Sequence, residues 1–197
     1  MTPAAFLLDR PRPWLDDTGR LRDAFDFVWV SVQVPRVPGQ LFRPSFSTRA
    51  TLTPAPQAPF TAELENDDAA HLLPMIAYEP VPLAGSPLLD ALEAVGVQLQ
   101  RFALTLESQQ PRLWRLEAFN FIGPALETVR QVAAADAGLP PALGPLCVVK
   151  PPISPAPAFW CGERLAIAPA HRATVERAAG QHLSFTPVLQ EDLVTGR

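Results

Sequence analysis

The chain has 197 residues, of which 48% are hydrophobic and 18% charged. That balance excludes a disordered chain and fits one domain of the usual ~100–200 residues, large enough to stand without disulfides or metal. The net charge of −4 argues against nucleic acid or anionic lipid as the main partner, since both select for a basic surface. Proline is the outlier, at 24 residues against a usual ~5%. The prolines gather in "VPRVPGQLFRP", "TPAPQAPF" and "LPPALGPLCVVKPPISPAPAF", which predicts loops, turns and edge strands there.

The opening "MTPAAFLLDRPRPWLDD" has no basic stretch ahead of an apolar core, and "AAFLL" is too short for a signal peptide. No apolar run approaches the ~20 residues of a membrane span. Cys147 and Cys161 alone make no disulfide framework, so the expectation is a cytoplasmic protein with reduced thiols and no membrane partner. "DDTG" (16–19) signals a turn. "FDFVWVSVQV" (25–34) follows, with Val28, Val30, Val32 and Val34 on one face and Phe25, Phe27 and Trp29 on the other, which predicts a central strand covered on both sides. Residues 35–60 are broken by proline and leave room for one or two short strands. "ELENDDAA" (63–70) suits the start of a short helix, because carboxylates favour a helix N-terminus, and Pro74 limits it.

Ser86 is a predicted N-cap, with Pro87 at the first helical position. Leu88, Leu89, Leu92 and Val95 then form an apolar stripe, Asp90 and Glu93 face outward, and Gly96 stops the helix. "VQLQRFALTLE" reads as a strand whose apolar phase changes after Leu99, which predicts a bulge near Gln100–Arg101. "RLWRLEAFNFI" is a second strand, and the short spacing predicts an antiparallel hairpin. Residues 124–137 suit a helix from Pro124 to Gly138, with Leu126, Val129, Val132 and Ala133 inward. Short strands follow at "LCVV" (146–149) and "AFW" (158–160). The last unit is a helix over 170–179, Gly180, and a strand in which Leu183 and Phe185 alternate with Ser184 and Thr186.

Helices interspersed with short strands predict a single α+β domain over 1–197, built on a mixed, mostly antiparallel sheet. Two helix–Gly–strand units pack on that sheet in this reading. Residues 1–84 form a strand- and Pro-rich N-terminal half.

Chemistry-bearing residues are few. Asp67, Asp68 and His71 share helical spacing and could hold a metal, but carboxylate–His proximity without a second His or a Cys is nonspecific, and a solvated acidic helix start is the favoured reading. His171 and His182 lack any metalloprotease spacing and read as surface residues. Cys161, in "FWCGER", could serve a Cys–His hydrolase with His171 or His182 and Asn120, or be a small buried hydrophobe. Cys147, in "LCVVK", reads as core. Phosphate-loop, dinucleotide and nucleophile-elbow motifs are absent from the sequence. The expectation is therefore no catalytic residues, no metal and no cofactor. Glu63, Glu65, Asp67 and Asp68 fall within six residues, either as a solvated run or as a docking face for a basic protein. Trp14, set among prolines and charges in "DRPRPWLDD", is a candidate partner-facing anchor.

"FWCGERLAIAPAHRATVERAAGQHLSFTPV" resembles the end of the bacterial immunity protein family eleven of polymorphic toxin systems. The matching features are Phe159–Trp160, Leu165 to Ile167, the 170–179 helix, Gly180 and "LSFTPV". "SPLLDALEAVGVQLQRFALTLE" and "LWRLEAFNFIG" resemble the family's middle, so the likeness spans about residues 85–190. The chain departs from the family after the Asn120 strand, where members carry an Asp-rich stretch and this chain runs into "GPALETVRQ". The resemblance implies a cytoplasmic protein that binds and neutralises a cognate toxin by occlusion, with no active site. A small enzyme using Cys161 or a His71 site, and an adaptor or chaperone for a secreted effector, remain the alternatives.

Overall fold

A computed structural model describes residues 3–16, 18–23, 27, 29–33, 60–65, 72–78, 81–107, 114–151, 153 and 155–191. The fold is α+β and mostly strand, with two α-helices among the described residues. Where one sheet was expected, the described residues form two, together with a separate two-stranded hairpin.

The first sheet comprises β1 (Ala5–Asp9), β10 (Ala125–Leu126), β11 (Thr128–Ala133), β12 (Pro145–Val149), β13 (Ala158–Cys161), β14 (Arg164–Ile167) and β15 (Ser184–Gln190). The second comprises β4 (Trp29–Gln33), β5 (Phe60–Glu65), β6 (Ile76–Ala77), β7 (Leu83–Gly85), β8 (Leu99–Glu107) and β9 (Leu116–Phe121). The hairpin is β2 (Trp14–Leu15) with β3 (Leu21–Arg22), and the helices are α1 (Ser86–Ala94) and α2 (Arg172–Ala179).

The first sheet runs β10-β13-β14-β1-β15-β12-β11. Its two edge strands, β10 and β11, are separated in the chain by Glu127 alone, so the sheet curls until its edges meet. Residues 125–133 act as one strand that hands its pairing from β13 to β12. The Trp160 amide donates to the Pro124 carbonyl at 2.9 Å on one side of the break, and the Lys150 amide donates to the Glu127 carbonyl at 3.0 Å on the other. The result is a small barrel, of the size that side chains fill. Ala5, Leu7, Leu126, Val149, Phe159, Cys161, Ala166 and Val188 pack together inside it, with contributions from β1, β10, β12, β13, β14 and β15.

Strand alternation sends the intervening residues outward. Phe6, Leu8, Trp160, Leu165 and Ile167 meet Leu88, Leu89 and Leu92 of α1, Val175 of α2, and Ile76, Phe119 and Phe121 of the second sheet in one shared core. Tyr78 fastens the two sheets, donating its hydroxyl to the Leu8 carbonyl at 2.7 Å and accepting from the Leu165 amide at 3.2 Å. Burial pushes that phenol well above its ordinary pKa, so it stays a donor.

The second sheet runs β4-β5-β8-β9-β7-β6. Its far face carries a second core, including Val32, Phe60, Phe102, Leu104 and Leu116. The expected β8–β9 antiparallel hairpin forms, pairing Leu99 with Phe121 and Ala103 with Glu117. Its register runs without a shift from Leu99 to Ala103, so the bulge expected at Gln100–Arg101 is not there. The change of apolar phase has another cause. Leu99 packs on the shared core, whereas Phe102 and Leu104 point to the second core on the opposite face.

Further expectations are corrected. Trp29–Gln33 lies at the end of the described strand order, not at its centre, with Val30 half-buried and Val32 buried. Glu63 to Glu65 continue strand β5, paired with β4 and β8, so no helix opens at 63; residues 66–71 lie outside the described residues. Residues 124–137 form β10, β11 and a short 3-10 turn over Ala135–Ala137, not a helix. Thr128, Val129 and Val132 are β-branched, and closing the barrel supplies two neighbouring strands whose ladders need this segment. Ser86 is the first residue of α1, and extended Gly85 precedes it as the cap. The Ser86 hydroxyl donates to Glu117 Oε1 at 2.7 Å instead of capping.

Candidate functional site

Two features stand out from the scaffold: the open end of the barrel and the β2–β3 hairpin. The barrel mouth is a cavity of about 620 Å³. Cys147 and Cys161 lie on its wall with Thr128, and Arg10, Arg12 and Arg164 face it together with Asp9 and Glu163. Arg164 is tied to Asp9 at 2.6 Å. A smaller cavity of about 380 Å³ adjoins it, sharing Asp9, Arg10, Glu163 and Arg164 and reaching Tyr78 and Ile76 of the second sheet.

Cys147 comes from β12 and Cys161 from β13, strands that both pair with the 125–133 segment and not with each other. Their side chains meet across the barrel. Cys147 neighbours Cys161, and Thr128 Oγ1 lies 3.5 Å from the Cys161 sulfur. The Cys147 contact, helped by Thr128 and by the positive Arg164, holds the Cys161 thiol below its ordinary pKa against the opposing effect of burial. The same contact, with burial, pushes Cys147 up. The pair thus favours one thiolate, on Cys161, with Cys147 protonated.

Asp16 braces the hairpin. Asp16 Oδ1 accepts from the Thr18 amide at 2.9 Å, the Thr18 hydroxyl at 2.6 Å and the Arg20 amide at 3.0 Å. Asp16 Oδ2 accepts from Arg22 Nε at 2.8 Å. The Thr18 and Arg22 hydrogen bonds hold the Asp16 carboxyl far below the usual carboxylate range, so it stays ionised. Gly19 takes a left-handed φ of 78°, which a side chain would resist. Leu15 and Leu21 are register partners on this hairpin and are 62% and 63% exposed.

The residues singled out in the sequence scatter. Trp14, the candidate anchor, is half-buried. Its ring turns back onto Phe27 at 5.8 Å and onto the edge of His182 at 5.9 Å, so Leu15 and Leu21, not the indole, form the exposed apolar surface. Glu63 is exposed on β5 and Glu65 ends that strand, while Asp67, Asp68 and His71 lie outside the described residues. His182 packs against Trp114 at 4.9 Å. His171 closes the 3-10 turn Pro169–His171, and Asn120 is buried in β9. None of these three lines the Cys161 cavity, so no Cys–His–Asn arrangement assembles there. Among the described residues no group of three or more His, Cys, Asp or Glu side chains could hold a metal, and no helix is long and apolar enough to cross a membrane.

Sequence reasoning missed the partnership of Cys147 with Cys161 and the Leu15–Leu21 pair. The second had a local signal: two leucines flanking the "DDTG" turn. The first had none, because barrel closure alone brings the two thiols together. No family model matches this chain, and comparisons with curated proteins and with solved structures found no significant match.

Proposed function

We propose that this chain is an immunity-type protein that binds a cognate bacterial toxin and neutralises it by occlusion. The observation that supports the reading is the Leu15–Leu21 pair. Exposed neighbouring leucines on a hairpin already locked by Asp16 lose little conformational freedom when a partner covers them. The partner then presents an apolar cleft to the hairpin tip. The acidic run that contains the exposed Glu63 serves encounter with a basic toxin surface in the same reading. In this reading the two helix–Gly–strand segments serve as scaffold and leave the loops free to specialise.

The test is co-expression with the toxin encoded beside this gene, scored by growth and by binding of the purified pair. The parent should protect. Leu15→Asp with Leu21→Asp should weaken binding at least about 100-fold, as lost hot spots do, with little change in melting temperature. Undiminished binding by that variant sinks the hairpin as the docking face. A neighbouring toxin that the parent neither binds nor neutralises sinks the immunity reading itself.

A further inference from the structure

Occluding a toxin leaves the cluster at the barrel mouth without a role. There the Cys161 thiol, itself only 4% exposed and with Thr128 Oγ1 3.5 Å away, sits on the wall of a cavity of about 620 Å³ whose rim carries three arginines and the carboxylates of Asp9 and Glu163. Small-molecule sites occupy ~300–1,000 Å³, so the space suits a ligand of a few hundred daltons. Arginine forks pair with carboxylates, and Arg12 is exposed at the rim. Asp9 occupies Arg164 from one side only, through a single 2.6 Å contact at Nη1.

We propose that the barrel mouth binds a carboxylate-bearing, low-molecular-weight disulfide, which Cys161 opens by thiol–disulfide exchange. The Cys161 thiolate attacks one sulfur of the ligand R–S–S–R. A protein–S–S–R bond forms as the ligand's own S–S bond breaks, and RS⁻ leaves and takes a proton from water. One disulfide replaces another, so no further oxidant enters the balance.

Attack depends on the thiolate fraction, and the setting of Cys161 raises that fraction near neutrality above that of a free thiol with its pKa of ~8.5.

The probe is dithiobis(nitrobenzoate), an anionic disulfide, with neutral dithiodipyridine as the comparison, on the native full chain. Release of the coloured thiol gives the rate, and intact mass with peptide mapping gives the site. One fast equivalent is expected, with the adduct on Cys161, its rate half-maximal at a pH below ~8.5. Cys161→Ser should abolish it. Cys147→Ala should keep the adduct and move the pH midpoint upward. Arg12→Glu should slow the anionic probe about fivefold at low salt and leave the neutral probe unaffected. An adduct on Cys147, an internal disulfide with no adduct, or thiols silent until denaturant is added would each overturn the thiol site. Equal slowing of both probes by Arg12→Glu would overturn its preference for carboxylates. Protection against a toxin enters none of these readouts, so this inference and the immunity reading fail separately.

Discussion

Arg101 should anchor α1 to the second sheet, and replacing it with methionine measures how strongly. Its guanidinium grips Glu117 through Nη2–Oε1 at 2.6 Å and Nε–Oε2 at 3.1 Å, and Nη1 reaches Asp90 at 2.6 Å and Glu93 at 2.9 Å. The side chains of Arg101 and Glu117 are 24% and 13% exposed. A solvated ion pair is worth ~0–1 kcal/mol, and breaking a fully buried one costs ~3–5. This pair falls between the two, so Arg101→Met should cost about 2–3 kcal/mol, with the exposed Asp90 and Glu93 adding little. For a chain of this size that lowers the melting midpoint by about 5–10 °C near pH 7.

The pH dependence carries the sharper test. The Arg101 hydrogen bonds hold the Glu117 carboxyl below the usual range. A depressed carboxylate contributes stability that is present above its unfolded pKa of ~4.3 and is lost as pH falls through the folded pKa. The gap between parent and variant should therefore narrow in acid. Thermal melts near pH 7 and near pH 3 measure it, and a gap of equal size at both would refute the electrostatic reasoning. Adding Glu117→Leu to Arg101→Met should recover much of the loss, because no charge is then stranded.

Two further substitutions test the packing. Leu92 is fully buried where α1 meets the barrel, so Leu92→Ala should cost ~2–5 kcal/mol in a denaturant melt, and an unchanged midpoint would misplace the helix face. A Cβ at Gly123 would run into the Phe121 ring, which is buried and lies 5.7 Å from Trp160. Gly123→Ala should therefore cost ~1–3 kcal/mol as an overpacking change, with near-ultraviolet circular dichroism reporting the displaced aromatic pair.

What the sequence determined by itself was local. The stripe of Leu88, Leu89 and Leu92 specifies α1, the short spacing between two apolar runs specifies the β8–β9 hairpin, and "LCVV" and "AFW" specify β12 and β13. In each, side-chain period and turn chemistry act over a few residues. Tertiary structure decided what those signals left degenerate. Leu126, Val129 and Val132 satisfy a helical period, yet residues 125–133 extend because β13 and β12 each offer them an unfilled hydrogen-bonding edge. Ala5 to Leu8, in the sequence only an apolar run too short for a signal peptide, become a strand buried on both faces, one toward the barrel interior and the other toward the shared core. The strand from Leu99 to Glu107 changes phase without a bulge because its two faces meet different cores, a fact that no window along the chain contains. Cys147 and Cys161 meet through tertiary structure too: closing the first sheet pairs the backbone groups at its edges and sets distant residues side by side.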